Sequence, residues 1–295
     1  MALYTVRSER KFCEQLDYSI LFRWFLDMDW NEPSFDHSSF SRNRTRLLKH
    51  DVACKFFSTV VAEARELKLT SDEHFTVDGT LIEAWASLKS FRPKSEQRTD
   101  RTPPDDLGNP SVNFRGERRR NETHQSTTDP EARLAKKGAG KEAKLCYTES
   151  VLMENRNGLV IDLQVGQASG RAECEQALQM LHKVRGRCRI TLAGDKGYDN
   201  VGFVASCRAI NVTPHVAQNE RRPGGSALDH RTTGWPGYAV SQRVRKRIEE
   251  IFGWIKTVGN FRRTRYRGVA RTSFAAYVVG AAYNLLRIAK LCASG

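Results

Sequence analysis

Acidic side chains are in short supply in this 295-residue chain: 34 Asp and Glu stand against 48 Lys and Arg, a formal charge of +14. That excess, with a pI near 9.7, argues for a polyanionic partner, and for nucleic acid ahead of a membrane surface. Paired cysteines are also missing. Cys13, Cys54, Cys146, Cys174, Cys188, Cys207 and Cys292 are odd in number and widely scattered, with no C-x-x-C among them. This excludes a thiolate zinc site and a disulfide framework, and points to buried thiols in a reducing compartment. No long apolar run exists either. The longest, Phe274 to Leu286, is too short to span a bilayer and contains Asn284. Arg7, Glu9, Arg10 and Lys11 precede any apolar run, so no signal peptide is expected in this opening stretch. What remains is a basic cytoplasmic protein, long enough to bury a sizeable core in one large domain or two smaller ones.

The first 70 residues have helical periodicity. Glu9 to Asp29 places Phe12, Leu16, Ile20 and Trp24 on one face, widened by Leu21 and Phe25. Asn31-Glu-Pro33 ends that run; Asp36 and Asp51 are suited to cap two further helices. This helical segment, 1–70, is expected to read DNA or to cap the domain that follows, 71–295. At His74 the pattern becomes β-rich through Phe75-Thr-Val-Asp-Gly-Thr80. Residues 89–141 are polar and basic, with thirteen Lys and Arg against eight Asp and Glu. They predict a long irregular insertion that contacts DNA. Leu145 to Met153 and Leu159 to Val165 predict two strands, joined through Asn157-Gly158, a pair tolerant of positive φ. A helix over Ala172 to Val184, a strand over Ile190 to Ala193, a helix over Val201 to Ile210 and a strand over Val212 to Val216 follow. Residues 219–237 suggest a basic linker, and Ser273 to Cys292 an apolar core helix.

Between these last two lies Arg243 to Lys256, where Val244, Ile248, Ile251, Ile255 and, just beyond, Val258 recur at the spacing of one helix face. Glu249 stands on that helix between cations; Asp78 ends the first strand and Asp195 the fourth. If those strands are parallel neighbours, both aspartates emerge at one carboxyl edge, where open α/β sheets bind ligands. Clustered carboxylates with no His or Cys suit Mg²⁺ or Mn²⁺, and two ions about 3.5–4 Å apart serve an in-line displacement at phosphorus. Each carboxylate alone has a simpler reading, as a turn aspartate or a surface ion pair.

Val77-Asp-Gly-Thr80, Ala193-Gly-Asp-Lys-Gly-Tyr198 and Arg247-Ile-Glu-Glu-Ile-Phe-Gly-Trp-Ile-Lys256 together resemble the catalytic motifs of bacterial insertion-sequence transposases of the DDE class, in the fifth insertion-sequence family. Thr127-Thr-Asp-Pro130, Lys136-Lys-Gly138 and Leu152 to Gly158 are similar to it as well, and the N-terminal Ser8-Glu-Arg10, Leu16-Asp-Tyr18 and Leu21-Phe-Arg-Trp24 resemble its helical region. The resemblance implies an RNase-H-like α/β core, a mixed sheet flanked by helices, with Asp78, Asp195 and Glu249 as a catalytic triad holding two Mg²⁺ or Mn²⁺ ions. It implies cleavage at transposon ends followed by strand transfer into target DNA, by a homodimer or higher oligomer on double-stranded DNA at the bacterial nucleoid. Arg245 and Lys256, with three residues before and six after Glu249, match the R-x3-E-x6-K signature; Gln242 stands where the family has a tyrosine. Helical periodicity alone leaves Glu249 and Glu250 open, and the signature spacing favours Glu249. Arg243, Arg247, Arg262, Arg263 and Arg265 are expected to join Arg245 and Lys256 in a DNA track. Family members carry several dozen more helical residues ahead of the segment that starts here, so the N-terminal helices are expected to expose an apolar patch. The rival readings are a nuclease of the same fold that cuts without joining, and a catalytically silent DNA-binding remnant.

Overall fold

A computed structural model describes residues 1–94, 119–138, 140–184 and 188–294. Four helices come first: α1 (Glu9–Tyr18), α2 (Ile20–Phe25), α3 (His37–Lys49) and α4 (Val52–Glu66). The single helix expected over Glu9 to Asp29 is broken at Ser19, whose hydroxyl caps α2 by accepting from Phe22 N. The break turns Arg23 inward. Its guanidinium donates to the carbonyls of Leu16, Asp29 and Glu32 and is buried. The expected apolar face is thereby divided: Leu16 is buried, whereas Ile20, Trp24 and Phe25 are exposed. Asp36 caps α3 as expected, accepting from Ser38 N at 2.7 Å. Asp51 occupies the N-cap position of α4 in a left-handed conformation, without a side-chain cap bond.

Next come strand β1 (His74–Glu83), the short strands β2 (Phe91–Pro93), β3 (His124–Ser126) and β4 (Arg133–Ala135), and the long hairpin β5 (Lys144–Glu154) and β6 (Val160–Gln167). The chain continues with α5 (Ala172–Val184), β7 (Ile190–Gly194), α6 (Val201–Ala209) and β8 (Val212–Val216). It closes with α7 (His230–Thr233), α8 (Pro236–Val244), α9 (Ile248–Lys256) and α10 (Val269–Ser294). Much of the expected insertion, residues 95–118 and 139, lies outside the described residues. On its described flanks β2 pairs with β3, and β4 joins the main sheet along β5. The supposed linker 219–237 carries α7 and the start of α8.

In the main sheet β5 runs antiparallel to both β1 and β6, whereas β7 is parallel to β1 and β8 to β7. The path β6-β5-β1-β7-β8, three antiparallel strands and then two parallel ones, gives the RNase-H-like mixed α/β architecture, with β4 as an edge extension. The hairpin forms at the expected place, but of the Asn-Gly pair only Gly158 takes positive φ, +71°; the Glu154 carboxylate holds the turn by accepting from Arg156 N and Asn157 N. The fully buried Leu152, Leu163, Met180 and Leu192 are part of the core between the sheet, α5 and α10. Asn284, the polar residue inside the apolar run, bonds both backbone groups of Val160 at 2.9 and 2.8 Å, which offsets its burial. Among the described residues no helix is long and apolar enough to cross a membrane. All seven cysteines are free; Cys13, Cys146 and Cys207 are buried, but Cys188 and Cys292 are exposed, so the expectation of seven buried thiols fails.

The helix through Arg243 to Lys256 is not uniform. Arg245–Arg247 tighten into a 3₁₀ turn between α8 and α9. The apolar stripe survives the change of pitch, and Ile248, Ile251 and Ile255 are buried. No glycine or proline marks the tightening. It coincides with Arg245 Nε donating to Gln242 Oε1 at 3.0 Å and Arg247 reaching the carbonyls of Asn155 and Arg156.

Candidate active site

The register of β1 against β7 aligns Thr76 with Ala193. Asp195, two residues further on, follows the end of β7. Asp78, level with it, does not end its strand as expected but lies within β1, which continues along β5 to Glu83. The two aspartates thus stand together at the carboxyl edge of β7. Asp78 Oδ1 accepts from its neighbour Gly79 N at 2.8 Å. Asp195 caps a short 3₁₀ turn over Lys196–Tyr198 and accepts from Gly197 N at 2.7 Å. Glu249 sits in the first turn of α9, just after the 3₁₀ turn that joins α9 to α8. All three line one cavity of about 940 Å³, together with Glu173, Lys256 and Arg262. Glu250 does not line it; its charge acts on Tyr283 of α10, whose hydroxyl is pushed up mainly by burial.

The electrostatics of this cavity are those of carboxylates held together. Burial raises Asp78 to about 7, and the charges of Asp195 and Glu173 add to the effect, while the Gly79 amide and Arg245 act against it. Glu173 is raised by burial and then by Asp195. Proximity of like charges disfavours ionising all of them, and a cation between them removes the conflict.

Further along β1 the balance differs. Thr80 accepts a hydrogen bond from Lys256 Nζ and pairs directly with Glu149 on β5. Glu149 is fully buried and neither carboxylate oxygen has a hydrogen-bond partner; burial raises it to about 7 while Lys256 pulls it back. The Lys256 ammonium is lowered by burial and by Lys137, with Glu149 opposing.

The expected basic residues divide into groups. Lys256 and Arg262 line the cavity, and Arg245 acts on Asp78 from beside it. Gln242, standing where the resemblance leads one to expect a tyrosine, is held to the His215 carbonyl and accepts from Arg245, so it positions that guanidinium. Arg263 donates to the carbonyls of Ala84 and Trp85, and Arg265 to that of Arg7. Arg243 and Arg247 are exposed and do not line the cavity. Sequence reasoning missed Glu173, Thr80 and Glu149. Glu173 had one usable signal, a carboxylate in the first turn of the helix that follows the hairpin.

The donor set fits a hard divalent cation: cavity-lining carboxylates from β1, the end of β7, α5 and α9, with no His or Cys among the lining residues. Among the described residues no three of His, Cys, Asp and Glu are yet close enough to hold an ion as they stand.

Comparison with known proteins reaches most of the chain. The family model described as Transposase DDE domain matches residues 71–285, and one described as Transposase domain (DUF772) matches residues 1–46. No curated protein matches the chain. Among solved structures, the chain is similar to a Mos1 transposase paired-end complex with left transposon end, at 10% identity over 95% of this chain and 74% of that one, with a TM-score of 0.25. A Mos1 mariner paired end complex with Mn is similar at 10% identity over 94% of this chain and 73% of that one, also at 0.25. A TM-score of that size does not establish a fold, which rests here on strand order and direction.

Proposed function

The chain belongs to the transposase DDE domain family and is a DNA-cleaving, strand-transferring enzyme of DNA transposition, and from that premise we propose that its catalytic centre is the cavity of Asp78, Asp195 and Glu249. Enzymes of this family use divalent metal ions; here two Mg²⁺ or Mn²⁺ ions are assigned to those three carboxylates. The observation that carries the reading is that residues from three separate elements line one cavity at the carboxyl edge of parallel strands. Asp78, Asp195 and Glu249 would hold such ions, which when bound would supply activation of the attacking oxygen and neutralisation of charge on the leaving one.

The protein's own groups supply the rest. Asp78 is fixed within β1 and Asp195 just past the end of β7, each with an amide bond, from Gly79 and Gly197. Glu249 reaches the same cavity from α9, and its position there favours it over Glu250 as the third ligand. Lys256, held by Thr80, and Arg245, held by Gln242, orient the DNA backbone beside the carboxylates. Arg262 extends that positive surface, and the exposed Arg243 and Arg247 add to it. Cleavage at an element end frees a 3′-hydroxyl, and the same cavity serves its attack on target DNA. We assign the fifth insertion-sequence family, terminal inverted repeats as the double-stranded DNA recognised, a homodimer or higher oligomer on that DNA, and action in the bacterial cytoplasm. The helices up to residue 70 form a DNA-binding or capping segment, and the domain from 71 onward carries catalysis.

The test is Mg²⁺-dependent cleavage and joining on DNA carrying the repeats that flank the coding sequence, including a pre-cut end. Wild type and Glu250→Gln are expected to cut and to join, and Glu249→Gln to do neither. Cutting without joining of the pre-cut end would identify a nuclease instead.

A further inference from the structure

Glu173 belongs to none of the motifs that define the triad, lies on a different element, and is 95 positions from Asp78 in the chain. The backbone of β1 is nevertheless shaped around it. A Cβ built on Gly79 would lie 2.5 Å from Glu173 Oε1, 2.6 Å from Cδ and 2.7 Å from Cγ. The carboxylate of Glu173 thus occupies the space that a side chain at position 79 would fill, against the backbone of the residue that follows Asp78. Gly79 has no positive φ to explain it, and it lies within a strand, where glycine packs poorly. Close approach of Glu173 is the reason a glycine fits there.

Among the described residues Glu173 has no hydrogen bond or ion pair to a cation, and the charge that acts on it is the carboxylate of Asp195. It lines the same cavity as Asp78, Asp195 and Glu249. A half-buried acid that shares a cavity with other acids and has no cation paired to it is an unfavourable arrangement unless a cation is shared. The neighbouring Glu175 is in the same first turn of α5, is exposed, and does not line the cavity. Stabilising the helix start therefore does not require Glu173 to face inward.

We propose that Glu173 is a fourth carboxylate of the catalytic centre, held over β1 by Gly79 so that it shares a divalent cation with Asp78 and Asp195. The proposal rests on the assignment of the cavity as the metal-holding centre. In this arrangement Gly79 is a positioning residue: lacking a Cβ, it lets the Glu173 carboxylate reach the backbone of β1 next to Asp78, whose own side chain leaves the strand on the other face.

The experiment is titration of the full chain with Mn²⁺ in the absence of DNA, followed by calorimetry and electron paramagnetic resonance, for wild type, Glu173→Gln, Glu175→Gln, Gly79→Ala and Asp78→Asn. Glu173→Gln is isosteric and removes a repelled charge, so the metal-free melting temperature is expected to hold or rise. Its Mn²⁺ affinity is expected to fall about 10- to 100-fold, the range for residues that support a metal site. Glu175→Gln removes the same charge from the helix start and is expected to bind as wild type. Gly79→Ala, which crowds Glu173 out by another route, is expected to weaken Mn²⁺ as Glu173→Gln does. Wild-type affinity in Glu173→Gln, with Asp78→Asn losing the ion, would overturn the role of Glu173 alone. Wild-type affinity in Asp78→Asn as well would overturn the assignment of the cavity itself.

Discussion

Two cavities stand at opposite ends of the same parallel strands. The one at the carboxyl ends, about 940 Å³, gathers Asp78, Asp195, Glu173 and Glu249 with Lys256 and Arg262. The one at the amino ends, about 630 Å³, is lined by His74, Arg156, Arg189, His215, Arg231 and Trp235 among others, with Glu73 as its one carboxylate. Both are open to solvent and of comparable size, so shape does not separate them. Charge does. The first concentrates acids that raise one another's affinity for protons, whereas in the second His74 bonds Thr191 and His215 bonds Ser241. A cavity whose acids conflict is suited to receive a cation, and one whose polar groups are paired within the protein has no such need.

The sharpest way to break this contrast is substitution at each end. Asp78→Asn or Asp195→Asn is expected to lower Mg²⁺-dependent DNA cleavage by about 10³-fold or more, the scale on which essential catalytic groups act. His74→Ala, in the amino-end cavity, is expected to change the rate by no more than about twofold. Single-turnover rates on the same DNA compare them.

Protonation tests the acids next. Asp78 titrates at about 7 in the metal-free protein and near the ordinary aspartate value when unfolded. The folded state therefore holds a proton that the unfolded chain releases, and stability declines as pH rises from about 4 to about 7, by no more than about 4 kcal/mol. Thermal melts without metal should show this decline, and Asp78→Asn should flatten it. Mn²⁺ must displace that proton, so its affinity is expected to rise between pH 6 and pH 8 with proton release.

The Lys256 end of the carboxylate cavity sharpens the comparison from within. Glu149 opposes the burial that lowers Lys256. Glu149→Gln removes that support, so Lys256 is expected to lose its proton at lower pH. The alkaline limb of the pH–rate profile should then move to lower pH.

Much of this architecture was legible in the amino-acid order. The Asn157-Gly158 hairpin, α5 and β8 formed where period and turn chemistry placed them, because their apolar faces meet the core they imply. The shared edge of Asp78 and Asp195 followed from the parallel pairing supposed for their strands. The break at Ser19 was hidden because the apolar period runs through it; the Ser19 cap divides the helix, and Arg23, turned inward there, bonds carbonyls up to nine residues away. The 3₁₀ turn at Arg245 was hidden for the same reason. Glu173 and Glu149 were not legible as site residues, since their neighbours lie on strands far away in sequence and only the folded sheet brings them together.

The smallest effect distinguishes two adjacent arginines. Arg262 lines the cavity, so Arg262→Ala is expected to reduce the salt dependence of DNA binding by about one unit of slope. Arg263 spends its guanidinium on the carbonyls of Ala84 and Trp85 and lies over the Trp85 ring at 5.5 Å. Arg263→Ala is expected to lower stability by about 1–2 kcal/mol and to leave the slope nearly unchanged. Binding isotherms across a salt series, with chemical unfolding of both variants, separate the two roles.

The central claim is that the carboxylates at the carboxyl edge hold the catalytic cation. Anomalous diffraction from crystals of the protein grown with Mn²⁺ tests it most directly. Manganese is expected in the carboxyl-edge cavity, in contact with Asp78 and Asp195, with Glu249 as the next nearest acid outside the strands and Glu173 closing over β1. Manganese bound only elsewhere on the protein, with this cavity showing no anomalous signal at saturating Mn²⁺, would contradict the account.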